Sequence, residues 1–222
     1  MTLRINSPAP DFAADTTMGP IRFHDWIEND WCILFSHPKD FTPVCTTELG
    51  QMAGFLSEFA KRNCKIIGLS ADSVADHAAW SPDIELVTGN ALNYPVIGDV
   101  DLSVAKLYGM IPEGEIGGAE RTVAQNATIR SVFIIDPAKT VRLHMSYPFT
   151  CGRNFGEVMR ALDSLQLTDT RKVGTPSNWT QGDEVLILTS VSDDEARDLF
   201  PQGWRAPKPY ARFVQLQTGR GT

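Results

Sequence analysis

The sequence lacks the features of a nucleic-acid-binding or membrane-spanning protein. Its 20 lysines and arginines are scattered without a basic tract and are outnumbered by 27 aspartates and glutamates, giving a net charge of −7. Such a balance disfavours nucleic acid and anionic membrane surfaces as partners. No apolar run approaches the roughly 20 residues of a transmembrane helix, and the first residues, MTLRINSPAPDF, contain no signal-peptide core. We therefore expect no nucleic-acid partner, no stable membrane insertion and a cytoplasmic location.

Cysteine is also scarce, and its spacing excludes the common structural uses. The 222-residue chain contains four cysteines, Cys32, Cys45, Cys64 and Cys151. They form no CxxC pair, and there is no HxxxH pattern, so the sequence does not favour a zinc site. Under reducing conditions we expect free thiols instead of a disulfide framework. A chain of this length can bury a core without such links. We predict no metal and no cofactor.

Hydrophobic patterning predicts alternating strands and helices. Short apolar runs predict strands at 31–36, 64–72, 94–99, 128–136 and 140–148. Helical spacing predicts helices at 46–63, 73–80, 102–109 and 154–167, with a loop at 110–120. This order implies an α/β fold in which helices flank a mixed central sheet. After Leu167 the pattern changes, and residues 175–204 contain one predicted strand and one predicted short helix. We therefore predict a domain over 1–167 and a small C-terminal arm or subdomain over 168–222.

Cys45 stands behind two prolines and at the start of a predicted helix, in the segment HPKDFTPVCTTELG. Unpaired N–H groups and the helix dipole supply positive potential at that position, which favours thiolate over thiol. Thr42 lies three residues before the sulfur, so its hydroxyl could turn toward it. Glu48 lies three residues after it, in the expected first helical turn. The pattern predicts an activated nucleophile; the alternative is a small apolar residue beside a helix cap.

The segment PKDFTPVC matches Pro-x-x-x-Thr-x-x-Cys, the signature of peroxiredoxins, and HPKDFTPVCTTE resembles their one-cysteine, peroxiredoxin-6 type subfamily. Further stretches follow the family's order over nearly the whole chain: APDFAADTTMGPIRFHDW, SADSVADHAAW, YPVIGDVDLSVAKLYGM, FIIDP, GRNFGEVMRALDSLQLT and TPSNWTQGDEVLIL. The resemblance implies a thioredoxin-like fold. It also implies a thiol-dependent peroxidase that reduces hydrogen peroxide and organic hydroperoxides, in antioxidant defence and cell redox homeostasis.

The resemblance assigns roles around the sulfur. Cys45 would be the peroxidatic cysteine, which attacks the O–O bond of a hydroperoxide and becomes a sulfenic acid. Thr42 would hydrogen-bond the peroxide and the thiolate, and Pro38 would shield the pocket from water. Arg130 would lie over the thiolate and polarise the peroxide. Arg153 would be the second arginine of that environment, since two cations stabilise both thiolate and developing alkoxide.

Two further residues and the partners follow from the same resemblance. His37 would either hydrogen-bond the oxidised sulfur or serve the structure alone. Cys151 precedes Arg153 by two residues, and we hypothesise that it could form a disulfide with oxidised Cys45. No cysteine follows Cys151, which favours a one-cysteine cycle with an external thiol reductant: glutathione, thioredoxin or another donor. Subfamily members form homodimers, so we expect one here.

Two rival functions use overlapping residues. A redox sensor or oxidation-switched holdase would use the same Cys45 without repeated turnover. An acyl hydrolase is disfavoured, because some subfamily members place a serine where ENDWC here places Asp30, and Cys32 replaces a glycine of that stretch. His24 matches the histidine of that site, but without a nucleophile it has nothing to activate.

Overall fold

The computed structural model describes residues 3–112 and 127–216. The chain divides into two compact units, Met1–Phe155 and Gly156–Thr222. The elements of the first unit are β1 (Ala13–Thr16), β2 (Gly19–Arg22), α1 (Phe23–Ile27), β3 (Trp31–Ser36), α2 (Pro43–Ala60), β4 (Cys64–Ser70), α3 (Val74–Thr88), β5 (Val96–Gly98), α4 (Ser103–Leu107), β6 (Arg130–Ile135) and β7 (Val141–Tyr147). Of the loop predicted at 110–120, residues 113–120 lie outside the described residues.

The first unit contains a seven-stranded mixed sheet in the order β2-β1-β5-β4-β3-β6-β7. Strand β3 lies between parallel β4 and antiparallel β6, and all six of its residues are buried. A strand covered on both faces needs a continuous apolar run, which WCILFS supplies. The strands predicted at 128–136 and 140–148 are β6 and β7, which pair antiparallel. The loop that leaves β3 therefore starts in the centre of the sheet and leads to α2, which contains the candidate nucleophile Cys45.

Helix α2 begins earlier than the apolar periodicity predicted. Its first residue is Pro43, three positions before the predicted start at Thr46, and Thr42 is the extended N-cap. Proline suits this position, because it has the helical φ and lacks an N–H that would stay unpaired there. Cys45 consequently lies in the first turn. Glu48 lies in the second turn, so our expectation of a first-turn carboxylate was wrong.

Helix α3 begins at Val74, one residue after the predicted start, with Ser73 as its N-cap. The Ser73 side chain accepts from the Asp76 N–H, and the Asp76 carboxylate accepts from the Ser73 N–H, a capping box. The helix continues to Thr88, beyond the predicted end at Trp80, with Pro82 in its interior. Its buried residues are His77, Trp80 and Ile84. This helix thus presents a buried histidine on its first turns.

The second unit is an α/β unit with its own core. Its elements are α5 (Phe155–Thr170), β8 (Val173–Gly174), β9 (Val185–Ile187), α6 (Asp193–Leu199), β10 (Arg205–Lys208) and β11 (Ala211–Val214). The strands form a sheet in the order β10-β11-β9-β8. Strand β9 and helix α6 are the strand and the helix predicted within 175–204, whereas β8, β10 and β11 lie outside that stretch and were not predicted. A two-residue strand shows no alternation, and β10 is exposed throughout and contains a proline. The predicted boundary at 167/168 falls within α5 and stays a prediction. Among the helices of the described residues, none has the length and apolarity to cross a membrane.

Candidate active site

The Cys45 thiol lies at the N-terminus of α2 and is fully buried. Its Sγ accepts a hydrogen bond from Arg130 Nη1 at 3.3 Å. The first backbone N–H groups of a helix have no partner within the helix and carry the positive end of its dipole. The sulfur therefore experiences positive potential from two sources, the helix terminus and a guanidinium.

Arg130 is the first residue of β6 and is itself fully buried. Its Nε and Nη2 donate to the Phe149 carbonyl at 2.9 and 2.7 Å. Its Nη1 donates to Glu48 Oε2 at 2.6 Å as well as to Cys45. A planar guanidinium fixed along both edges is preorganised, so its charge stays beside the sulfur without a cost in side-chain entropy during reaction.

Arg153 contacts Glu48, as Arg130 does, but makes no hydrogen bond to the sulfur in the part of the chain that the structure describes. Its Nη1 donates to the Ser36 and Ser131 carbonyls at 2.7 and 2.9 Å. Its backbone N, Nε and Nη2 all donate to Glu48, at 2.7 to 2.9 Å. The guanidinium also lies over the Phe35 ring, 5.1 Å from its centroid. Arg153 thus joins the end of β3 to α2 through Glu48.

Glu48 links the two arginines, a role that the sequence did not reveal. Burial alone would raise the pKa of its carboxyl, but hydrogen bonds and charge from Arg153, together with the charge of Arg130, outweigh burial and lower it. Two guanidiniums and one carboxylate leave one positive charge in excess in a buried cluster. A sulfur anion at Cys45 would neutralise that excess. The available signal was the three-residue spacing, which places Cys45 and Glu48 on one helix face.

Pro38 and Thr42 lie in the segment between β3 and α2, ahead of Cys45. The Thr42 hydroxyl donates to the Lys39 carbonyl at 2.8 Å, so its hydrogen is already engaged. The hydroxyl oxygen keeps lone pairs, with which it can accept a hydrogen bond from a hydroperoxide. Pro38 is buried two residues after the end of β3. The hydroxyl's interaction therefore differs from the predicted hydrogen bond to the thiolate, since the O–H is directed at Lys39.

His37 belongs to a buried cluster that the sequence also did not reveal. Its Nε2 lies 2.7 Å from Asp40 Oδ1, and His77 Nδ1 lies 2.6 Å from Asp40 Oδ2. Donor atoms of the three residues lie within 4.8 Å of one another, as metal ligands can. Direct hydrogen bonds account for the two short distances, however, and a shared metal would have to replace them. The cluster is better described as a hydrogen-bonded carboxylate between two imidazoles.

The remaining cysteines differ in exposure. Cys151 is exposed, in the loop whose Phe149 carbonyl holds Arg130, and its backbone N donates to the Pro148 carbonyl. Cys32 and Cys64 are buried, and burial raises the pKa of both thiols well above the ordinary value. Cys32 and Cys64 are therefore inert core thiols, whereas Cys151 is accessible to reagents.

His24 and Asp30 do not form a hydrolytic pair. His24 Nε2 lies 2.9 Å from the Ala9 carbonyl, to which it donates. The Asp30 carboxylate lies 3.4 Å from Lys65 Nζ. A carboxylate paired with a lysine is no substitute for a serine nucleophile, so these positions offer no acyl-transfer chemistry.

The Asp40 carboxylate makes stability depend on acid pH. Burial would raise its pKa, but hydrogen bonds from His37 and His77 outweigh burial and lower it from 3.8 to about 2. Because the folded pKa is below the unfolded one, this stabilisation is present above about pH 4 and is lost as the pH falls toward 2. We expect about 2 kcal/mol from this group. Urea unfolding of the wild type should show that loss, and Asp40→Asn should lack it.

Glu48 adds to acid sensitivity in both proteins, so the difference between them isolates Asp40. Asp194→Asn, which removes an exposed carboxylate from α6, is the matched control and should follow the wild type. Identical pH dependence of the wild type and Asp40→Asn would contradict the assignment.

Comparison with known proteins identifies the family. Residues 5–144 match the AhpC/TSA family, and residues 164–203 match the C-terminal domain of 1-Cys peroxiredoxin. The chain is 48% identical over 212 residues to the 1-Cys peroxiredoxin of Dictyostelium discoideum, covering 96% of this chain and 85% of that one. It is 49% identical over 205 residues to peroxiredoxin-6 of Rattus norvegicus, covering 90% of each.

Solved structures agree with the fold. The yeast mitochondrial 1-Cys peroxiredoxin superposes with a TM-score of 0.87 at 48% identity, covering 97% of this chain and all of that one. The C45S mutant of peroxiredoxin 6 from Arenicola marina gives 0.86 at 43% identity, covering 96% and 98%. The predicted thioredoxin-like fold is therefore confirmed.

This fold, with a buried thiol at a helix terminus beside a fixed guanidinium, defines a thiol-dependent peroxidase. The chain belongs to the peroxiredoxin family, and its relatives place it with the 1-Cys, peroxiredoxin-6 type members. It is an oxidoreductase that acts on peroxide through a peroxidatic cysteine.

Proposed function

We propose that Cys45 is the peroxidatic cysteine and that an external thiol restores it after each turnover. The main support is the 3.3 Å contact between Arg130 Nη1 and the Cys45 Sγ at the start of α2. In the reaction the thiolate attacks the terminal oxygen of the hydroperoxide. An S–O bond forms and the O–O bond breaks, giving a sulfenic acid and an alkoxide that takes a proton from solvent. The sulfur loses two electrons and the peroxide gains them.

Each residue around Cys45 has a separate role in the proposed reaction. Arg130 favours the anionic sulfur and stabilises charge on the departing oxygen. Arg153 donates to Glu48, which also accepts from Arg130, and so holds that carboxylate in place. Thr42 accepts the O–H of the incoming hydroperoxide, and buried Pro38 keeps water from the sulfur. His37 accepts the O–H of the sulfenic acid; its Nδ1 is buried without a hydrogen-bond partner among the described residues, which supports that role.

The reductant that we propose is glutathione for the first step. The sulfur is fully buried, so a small thiol should reach a sulfenic acid at this position more readily than a protein dithiol does. The yeast relative is described as resolving its thiol through glutathione/thioredoxin systems. Condensation would give a mixed disulfide and water, and a second thiol, from glutathione or thioredoxin, would release Cys45.

Donor dependence tests this proposal. We expect peroxide consumption with glutathione to continue for many turnovers, and intact mass after one equivalent of peroxide plus glutathione to show one adduct. Cys151→Ser is the matched variant that keeps the adduct if it forms on Cys45. A single oxidation without turnover under every donor would instead support the redox-sensor or holdase alternative.

The Cys45–Cys151 disulfide hypothesis has a separate test. Cys151 is exposed on the loop that contacts Arg130, whereas Cys45 is buried, so the two thiols differ sharply in access. If the hypothesis holds, one equivalent of peroxide without external thiol gives a peptide that joins the two cysteines on non-reducing mapping. Recovery of oxidised Cys45 with an unmodified Cys151 contradicts it.

We also propose a homodimer and a cytoplasmic location. Strand β7, seven residues long, is the terminal strand of the sheet, and such an edge offers backbone groups to a second copy. Sedimentation velocity should give twice the chain mass, and a monomer at micromolar concentration contradicts the dimer.

The four free cysteines suit a reducing compartment such as the cytoplasm. Cell fractionation tests this, with recovery in a sealed organelle as the contrary result.

A further inference from the structure

His77 makes hydrogen bonds that require both of its ring protons. Its Nδ1 lies 2.6 Å from Asp40 Oδ2, and its Nε2 lies 3.1 Å from the Ile97 carbonyl oxygen. A carboxylate and a carbonyl can only accept, so each nitrogen must donate. A neutral imidazole has a single N–H. The geometry is therefore complete only when His77 is an imidazolium cation, and burial of that cation is compensated by the Asp40 anion.

The second carboxylate oxygen determines the tautomer of His37. Asp40 Oδ1 lies 2.7 Å from His37 Nε2, which must therefore carry a proton. Burial lowers the pKa of His37 most strongly, against the raising effects of Asp40 and Asp72, and the net shift is downward. His37 is then neutral, and its Nδ1 holds a lone pair. That atom is buried without a hydrogen-bond partner among the described residues.

The His77 cation offsets part of the negative charge around the cluster. Asp40 is held between the two imidazoles, and its backbone N donates to Asp72 at 2.9 Å. Asp76, on the first turn of α3, also contributes negative potential. Without a cation at His77, the Asp40 anion would attract a proton onto His37. The lone pair of His37 Nδ1 would then become an N–H donor.

We propose that Asp40 and His77 are positioning residues of the peroxidase reaction, which hold His37 neutral with its Nδ1 as an acceptor for the O–H of the Cys45 sulfenic acid. The inference rests on the proposed function, because it needs the sulfenic acid at Cys45. A neutral acceptor keeps the proton on the sulfenic oxygen. A protonated His37 would instead stabilise the sulfenate anion.

The consequence is measurable as over-oxidation. A sulfenate attacks a second hydroperoxide, forming a second S–O bond and breaking the O–O bond to give sulfinic acid and an alkoxide. In His77→Gln we expect the fraction of Cys45 converted to sulfinic acid per peroxide consumed to rise about tenfold. A change of about tenfold corresponds to the net free energy of one hydrogen bond. His77→Lys keeps a cation beside Asp40 and should stay near the wild-type fraction. His144→Gln, on β7, is the control for loss of a histidine.

A direct readout distinguishes positioning from a purely structural role. The chain has four histidines, so nitrogen-15 spectra of the labelled protein can be assigned by substitution. At neutral pH we expect both His77 nitrogens protonated and His37 protonated at Nε2 alone. In His77→Gln, His37 should become protonated at both nitrogens. A neutral His77 in the wild type overturns the proposal even if every variant fails to fold.

His37→Gln separates this inference from the proposed function. If His37→Gln raises sulfinic acid formation but His77→Gln does not, the positioning role is wrong and the role of His37 stands. If neither variant changes it while Cys45 still turns over, the sulfenic contact of His37 is wrong. If Cys45 is not oxidised at all, the proposed function itself is wrong.

Discussion

Replacing Cys45 with serine should lower peroxide consumption by at least about three orders of magnitude, as loss of a covalent nucleophile does. A serine hydroxyl stays protonated near neutral pH, and its oxygen is a poor nucleophile toward another oxygen. The change is small in volume and lies in the first turn of a helix whose cap and proline are unaffected. The measurement is the rate of peroxide loss with glutathione or thioredoxin as donor.

Cys151→Ser is the matched control for this experiment, because it makes the same chemical change at an exposed thiol. It should retain turnover with an external thiol. Urea unfolding of both variants would show whether either has lost its fold. Substantial turnover by a folded Cys45→Ser protein would contradict the assignment of the nucleophile, and loss of activity in Cys151→Ser would point to a second essential thiol.

The sequence could predict the parts of this fold that depend on neighbouring residues. A six-residue apolar run predicted β3, and the stretch that begins at Ser73 predicted the start of α3. The start of α2 was misplaced, because apolar periodicity begins only after Pro43 and Cys45. In the second unit, β8, β10 and β11 have two to four residues each and carry too little pattern to be recognised.

The candidate site divides in the same way. The helix terminus behind Cys45 is local and was predictable, and the arginines came from resemblance to a family. The pairing of both arginines with Glu48 was not predictable, since Glu48 is separated by 82 residues from Arg130 and by 105 from Arg153. His77 is likewise 37 residues from Asp40, and a buried histidine on a helix ordinarily means only core packing. Long-range pairing of charges is decided by topology, which one sequence does not display.

Replacing Arg130 with methionine should lower kcat/KM for hydroperoxide by about 10²–10³-fold, the size expected when one preorganised charge is removed from a buried site. Methionine fills similar space but gives the sulfur no hydrogen bond and leaves α2 as the remaining source of positive potential. The Phe149 carbonyl also loses the donors that Arg130 supplies, and Glu48 Oε2 loses one of its two. Stopped-flow oxidation of Cys45, followed by sulfenic acid trapping, measures the step directly.

Arg130→Lys separates charge from geometry. Arg130 uses Nε, Nη1 and Nη2 on Phe149, Glu48 and the sulfur at once, which a lysine point charge cannot reproduce. We expect lysine to recover only part of the rate that methionine loses. The methionine variant keeps Glu48 paired with Arg153, so the buried carboxylate retains a cationic partner and unfolding should show a folded protein. If folded Arg130→Met oxidises at the wild-type rate, the guanidinium only supports the Phe149 loop, and the helix terminus alone activates the thiol.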